Sequence, residues 1–179
     1  MGSLVKMMAD RLSNLLRELQ AVTGNPTKGL PEELFLYASQ ITPLVNVDLL
    51  IKDEVNGVLL TWRDDGYYGV GWHVPGGIIG YKETFSDRIH TVARQELGAR
   101  VVHDHDPIAI NQVIHPTKTI RGHFISLLFA CRLISPPAKT LAVLDQPQRG
   151  QFQWHKTCPD NLISVHNMYR PYLSFEAQS

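Results

Sequence analysis

Residues 76–101 read GGIIGYKETFSDRIHTVARQELGARV, and this stretch decides the fold. Its second half predicts a helix over 84–97. Thr84 stands at the N-cap position with Asp87 three residues on, a reciprocal capping pattern. Phe85, Ile89, Val92, Ala93 and Leu97 recur at three- and four-residue spacing and form one apolar face. Gly98 then supplies a residue able to take the left-handed conformation that closes a helix. Ahead of the helix, Pro75-Gly76-Gly77 reads as a sharp break. Two adjacent glycines let backbone approach a ligand closely and expose a carbonyl. Glu96, in the last helical turn, can point its carboxylate back toward that loop. A carboxylate beside a carbonyl oxygen suits a hard cation that keeps several waters and also touches substrate phosphates.

Working outward, Leu44–Ile51 (LVNVDLLI) is an apolar strand interrupted by Asn46 and Asp48. Asn56-Gly57 turns it into a second strand, Val58–Arg63. Trp72–Val74 is a short third. Downstream, strands are expected at about 107–114, 122–133 and 151–155, a proline-bearing loop at 135–148 and a last helix at about 160–174. At the front, Leu4, Met7, Met8, Leu12, Leu15, Leu16 and Leu19 mark an amphipathic helix over 4–23. A second short helix begins near Pro31, with that proline in its first turn and Glu32-Glu33 at its positive end. Hairpins and a sheet flanked by helices give a mixed α/β layer fold.

The chain has 179 residues, enough for one domain, and 17 basic residues balance 17 acidic ones. That balance argues against general nucleic-acid or membrane-surface binding, both of which need a basic excess. Two cysteines, Cys131 and Cys158, make neither a disulfide framework nor a four-thiolate zinc site. No apolar run nears a membrane span, and the start lacks a secretory segment. The expectation is a soluble, cytoplasmic, globular protein.

The 76–101 stretch resembles the signature of the Nudix hydrolases: Gly, five residues, Glu, seven residues, then Arg-Glu-apolar-x-Glu-Glu-x-Gly-apolar. Gly77, Glu83, Ala93, Glu96, Gly98 and Ala99 match it, while Thr91, Val92 and Gln95 depart from it. A subgroup with a reduced signature, the GDP-mannose mannosyl hydrolases, is similar over about residues 31–173. The shared stretches include TPLVNVDLLI, LLTWR, W-x-VPGG, GYKETF, ELGAR and HNMYRPYL. This resemblance implies a Nudix-type α/β/α sandwich with a mixed sheet over 41–179, preceded by an N-terminal helical extension over 1–40. It implies a homodimer and dependence on Mg²⁺ (or Mn²⁺). It implies attack of water at the anomeric carbon of a nucleotide sugar such as GDP-mannose, giving nucleoside diphosphate and free sugar.

The same resemblance implies site residues. Gly76 (through its carbonyl), Glu96 and Gln148 fall on metal-binding positions. Asp48, Arg63 and His115 fall on substrate positions, with Arg63 on the diphosphate. The position of the general-base histidine holds Arg149, which stays protonated and takes no proton at neutral pH. His115 or His123 is then the replacement base, since histidine titrates near neutrality. Ile78 stands where an arginine follows the glycine pair, and Phe124 where a tyrosine contacts phosphate. Two alternatives remain open beside the sugar-hydrolase reading: hydrolysis at phosphorus, and a catalytically inactive nucleotide-sugar-binding protein. Several residues carry two readings each. Glu83 is a metal contact or a loop brace. His73 is a substrate contact or packing. Tyr67, Tyr68, Trp72 and Tyr81 are stacking surfaces or cover for the core. His103-Asp104-His105-Asp106 reads as a solvated loop, and Cys131 as a core residue.

Overall fold

The structure is a computed structural model and describes residues 2–174. Eight strands run β1 Leu44–Asp53, β2 Gly57–Asp64, β3 Val70–His73, β4 Gly76–Ile78, β5 Val101–His103, β6 Ala109–Ile114, β7 His123–Leu133 and β8 Phe152–His155. Four α-helices run α1 Gly2–Thr23, α2 Glu32–Ile41, α3 Phe85–Leu97 and α4 Arg170–Leu173. β1 is the hub of the mixed sheet. It pairs parallel with β7 along its length and antiparallel with β4 and β2. β5 and β6 both add antiparallel to β7, and β3 and β8 both add to β2.

Side-chain alternation in β1 builds two cores. Val47, Leu49 and Ile51 point to one face, where Ile89, Val92, Ala93 and Leu97 of α3 cover them with Leu127 and Phe129 of β7. Leu50 points to the other, against Leu60, Trp72, Leu128, Tyr169 and Leu173. Leu49, Leu59, Leu60 and Phe129 have no exposed surface. Each such residue contributes about 1.5–3 kcal/mol relative to leaving it in water. The sheet thus lies between α3 and the C-terminal segment, the expected α/β/α arrangement. No helix among the described residues is long and apolar enough to cross a membrane.

The capping predictions for α3 match the structure. The Thr84 hydroxyl accepts from the Asp87 N–H at 3.1 Å and donates to Asp87 Oδ2 at 2.6 Å. Gly98 takes φ +60°, where a Cβ would be strained. Four local readings change. Gly76-Gly77 is not a break: both lie in β4 and pair with β1 at Val47 and Asp48. His103, read above as part of a solvated loop, ends strand β5, because β7 continues past β6 and offers Val101–His103 a partner in Cys131–Leu133. The helix expected at 160–174 is a 3-10 segment over Ser164–Tyr169 followed by one α-turn, α4, with Pro171 in that turn. Pro31 precedes α2 as its cap residue rather than lying in its first turn. The side chain of Leu4, assigned above to the apolar face of α1, lies outside the described residues.

Candidate functional site

Asn46 and Asp48 share the face of β1 opposite α3, two residues apart. Both are buried, as is Ser126 on the neighbouring strand β7. Tyr169 donates to Asp48 Oδ2 at 2.5 Å and Asn46 Nδ2 donates to the same oxygen at 2.8 Å. Ser126 donates to Asn46 Oδ1 at 3.0 Å. These contacts form the polar floor of a cavity of about 140 Å³. Burial pushes the Asp48 carboxyl up to about 7, against the opposing effects of Tyr169 and Arg63.

The need for glycine at position 76 follows from this floor. A Cβ at Gly76 would overlap Asp48 Oδ1, so the carboxylate occupies the space that any other residue would fill. A Cβ at Gly77 would lie 2.8 Å from Val92 Cγ2, so that glycine lets α3 sit close on the sheet. The pair serves close packing, not a turn. Glu83 is a loop brace: its Oε2 accepts from Gly80 N–H at 2.7 Å and from Arg88 Nη2 at 2.6 Å.

Glu96 reaches the same region from α3. It accepts from the Gly76 N–H and from Thr61 Oγ1, the latter at 3.1 Å. Burial lifts its carboxyl to about 7 despite those bonds, and the nearby Asp48 charge adds to the rise. His73 lines the cavity behind Thr61. Its Nδ1 donates to the Val74 carbonyl at 2.8 Å, and its Nε2 lies 3.1 Å from Thr61 Oγ1. Burial and the Arg63 charge drive this ring down to about 3, so it is neutral and Nε2 is an acceptor. The single Thr61 proton then faces two acceptors, Nε2 and Glu96. A protonated Glu96 removes that conflict by donating to Thr61, which agrees with its raised pKa. His166 Nδ1 accepts from the Val74 N–H at 3.1 Å. Burial holds this ring neutral too, leaving Nε2–H as a donor.

The opposite wall is cationic. Arg63, at the end of β2, lies 3.4 Å from Asp65 and lines the cavity. Arg121 joins it from the loop between β6 and β7. That loop is pinned from afar: Ser39 Oγ in α2 accepts the Arg121 N–H at 3.1 Å, and Tyr68 donates to the Arg121 carbonyl. The Arg121 guanidinium sits 4.5 Å from the Tyr67 ring centre, and Lys118 Nζ sits 4.3 Å from that of Tyr68. Arg121 Nε is buried with no protein partner. Ile78, at the position where the resemblance places an arginine, lines this same cavity. Arg121 brings the second guanidinium from a different element.

Asp48, Arg63, Gly76 and His73 therefore line one cavity, with Glu96 bonded to Gly76 at its edge. His115 and His123 line a separate open groove beside α2, and Gln148 is exposed on the turn before β8. Arg149 is exposed on that turn as well. Trp72 and Cys131 are core residues, Tyr81 is exposed, and Tyr67 and Tyr68 carry the cations just described. Burial pushes the Cys131 thiol up to about 12, which leaves it unreactive. His103 is tied to Ser86 Oγ at 3.0 Å, and His105 is exposed. Sequence reasoning passed over Asn46, although its two-residue offset from Asp48 places both on one face. It also passed over Thr61, Arg121, His166 and Tyr169, whose roles depend on contacts distant in sequence.

No protein-family model matches the chain. Among solved structures, a MutT Nudix hydrolase of Burkholderia pseudomallei aligns with TM-score 0.59 and 15% identity, covering 74% of this chain and 99% of that one. A structure described as a possible asymmetric diadenosine tetraphosphate hydrolase of Jonesia denitrificans aligns with TM-score 0.56 and 18% identity, over 72% and 90%. The fold is that of the Nudix hydrolases. An ADP-ribose pyrophosphatase of Streptococcus suis shares the Nudix fold at TM-score 0.52 and 17% identity, over 74% and 89%. Among curated proteins, the low-salt glycan biosynthesis protein Agl8 of Haloferax volcanii is 40% identical over 76 residues, 42% of this chain and 48% of that protein. The match thus spans about half the length of the curated relative.

A divalent cation fits the donor set of this Nudix-fold site. Asp48 is buried and Glu96 half-buried, and the Asp48 charge raises the cost of ionising Glu96, which a dication relieves. No group of three or more His, Cys, Asp or Glu among the described residues is placed to hold a metal. Such an ion would be completed by backbone oxygen, water and substrate phosphate, as magnesium commonly is.

Proposed function

We propose that this chain is a Mg²⁺- or Mn²⁺-dependent hydrolase of a nucleoside diphosphate sugar, with GDP-mannose-like compounds the leading class. The observation that carries the reading is one cavity with a cationic wall, Arg63 and Arg121, facing a carboxylate floor at Asp48. The wall suits a diphosphate, which an arginine fork binds in two places. The floor suits a sugar, whose hydroxyls pair with Asp48, Asn46 and the Nε2–H of His166. The name of the curated relative, a glycan biosynthesis protein, agrees with a sugar-linked substrate.

Glu96, with backbone oxygen at Gly76, would hold the ion. When bound, the ion supplies positive charge to the departing diphosphate. Arg63 and Arg121 add preorganised charge at the same place, where negative charge develops in the transition state. Asp48, buried in the floor of the cavity, takes the proton of the attacking water. His115 and His123 stay candidates for this step only if the 115–122 loop swings toward the cavity. Gln148 would need the 146–151 turn to close.

The test is turnover of a panel of nucleoside diphosphate sugars in H₂¹⁸O with Mg²⁺, with products identified by mass. Label in the free sugar and an unlabelled nucleoside diphosphate is the expected outcome. Label in a phosphate would place attack at phosphorus. Ligand-induced thermal stabilisation without turnover would make the protein a binding module.

A further inference from the structure

Helix α1 carries a seam that nothing in the monomer covers. Every residue from 5 to 22 is exposed. Val5, Met8, Leu12, Leu15, Leu19 and Val22 follow one another at spacings of three, four, three, four and three, a strict heptad with Val5, Leu12 and Leu19 at a and Met8, Leu15 and Val22 at d. A face meant to lie on a globular core or a lipid surface is broader and follows 3.6 residues. A 3.5-residue repeat is the mark of one helix winding on another.

We infer that α1 pairs antiparallel with α1 of a second copy of this chain. In an antiparallel pair each a residue meets a d residue, and here the lengths close on themselves. Val5 meets the partner's Val22, Met8 meets the partner's Leu19, and Leu12 meets the partner's Leu15, so the seam is its own complement about a twofold axis. The flanks agree. At g, Arg11 of one copy faces the partner's Glu18, and the symmetry repeats that ion pair. At e, Leu16 faces the partner's Ala9, which gives the exposed Leu16 an apolar neighbour. A parallel pair would instead set Arg11 against the partner's Leu16 and Glu18 against the partner's Thr23. Met7 falls outside the seam and stays on the surface. The seven residues of the seam and its Leu16 flank range from 39% exposed at Leu19 to 69% at Val22. Covering them on two copies buries on the order of 1,200 Å², the lower bound of a specific interface. This surface lies outside residues 31–173, the part of the chain similar to nucleotide-sugar hydrolases, and does not depend on the proposed activity.

Sedimentation of the full chain over about 1–100 µM tests the pairing. A species of twice the 20.2 kDa chain mass is expected. The change Leu12→Asp with Leu15→Asp should abolish it without altering the near-UV spectrum, whose aromatic residues all lie outside α1. Arg11→Glu alone should weaken it about 5–10-fold, and adding Glu18→Arg should restore it. Direction is read by oxidising an equimolar mixture of Met8→Cys and Leu19→Cys proteins in a Cys158→Ser background. The mixed disulfide is expected, and like-with-like disulfides would overturn the antiparallel arrangement. A monomer at all concentrations, a dimer that survives the Asp pair, or a monomer that binds anionic vesicles would each overturn the inference.

Discussion

The two faces of β1 use the same backbone for opposite ends. On one, Val47, Leu49 and Ile51 lie under α3 and contribute only packing. On the other, two residues of the same strand, Asn46 and Asp48, give up packing to build a hydrogen-bonded floor that holds a carboxylate in a dry place. The cost of that carboxylate appears in its pKa of about 7 and in the glycine required at position 76. Stability and chemistry are thus separated by a shift of one residue, and substitutions on the two faces should separate them experimentally.

The largest effect is expected at Asp48. Asp48→Asn keeps the hydrogen-bonded floor but removes the proton acceptor, and kcat should fall about 10³-fold with the fold intact. On the opposite face Leu49→Ala leaves a cavity under α3 and should cost about 2–5 kcal/mol in denaturant unfolding, with kcat of the remaining folded protein unchanged. Were Leu49→Ala to lose activity without losing stability, the division of the strand would fail. Arg121→Ala should raise KM for a diphosphate substrate about 10–100-fold while leaving the melting temperature nearly unaltered.

A smaller effect sharpens the comparison through pH. Asp48 and Glu96 have folded pKa values raised above their unfolded ones, so between about pH 4 and 7 the folded state holds protons that the unfolded state has released. Their contribution is therefore lost as pH rises through about 7. His73 and His166 act in the opposite sense, losing stability as pH falls below the unfolded histidine value. Comparison of variants isolates the first effect: metal-free Glu96→Gln should melt higher than the parent at pH 8, and by much less at pH 5. Mg²⁺ should raise the parent's melting temperature at pH 8 and much less at pH 5, where the carboxyl is protonated.

The parts of this molecule visible in the sequence are those fixed by near neighbours. Thr84, Asp87 and Gly98 bound α3 because a cap needs residues within four positions of one another. The polar floor was half visible, since Asp48 interrupts an apolar strand. Its partner Tyr169 lies 121 residues away, and no local pattern announces it. Arg121 is harder still. Its place depends on a left-handed backbone at a non-glycine residue, φ +53°, held by Ser39 and Tyr68, 82 and 53 residues distant. His115 and His123 show the converse. The resemblance puts His115 on a substrate position and leaves His115 or His123 as the replacement base, but both line the groove beside α2, while Arg121 of the intervening loop lines the cavity. Amphipathicity alone is also incomplete: α1 and α3 both display an apolar stripe, yet only α3 finds its cover within one chain.

The most direct measurement is the fate of ¹⁸O from solvent when the parent and Asp48→Asn are given a nucleoside diphosphate sugar with Mg²⁺. Label in the free sugar, formed by the parent and about 10³-fold more slowly by Asp48→Asn, is the expected result. Equal turnover by the two proteins would contradict the assignment of chemistry to the polar face of β1.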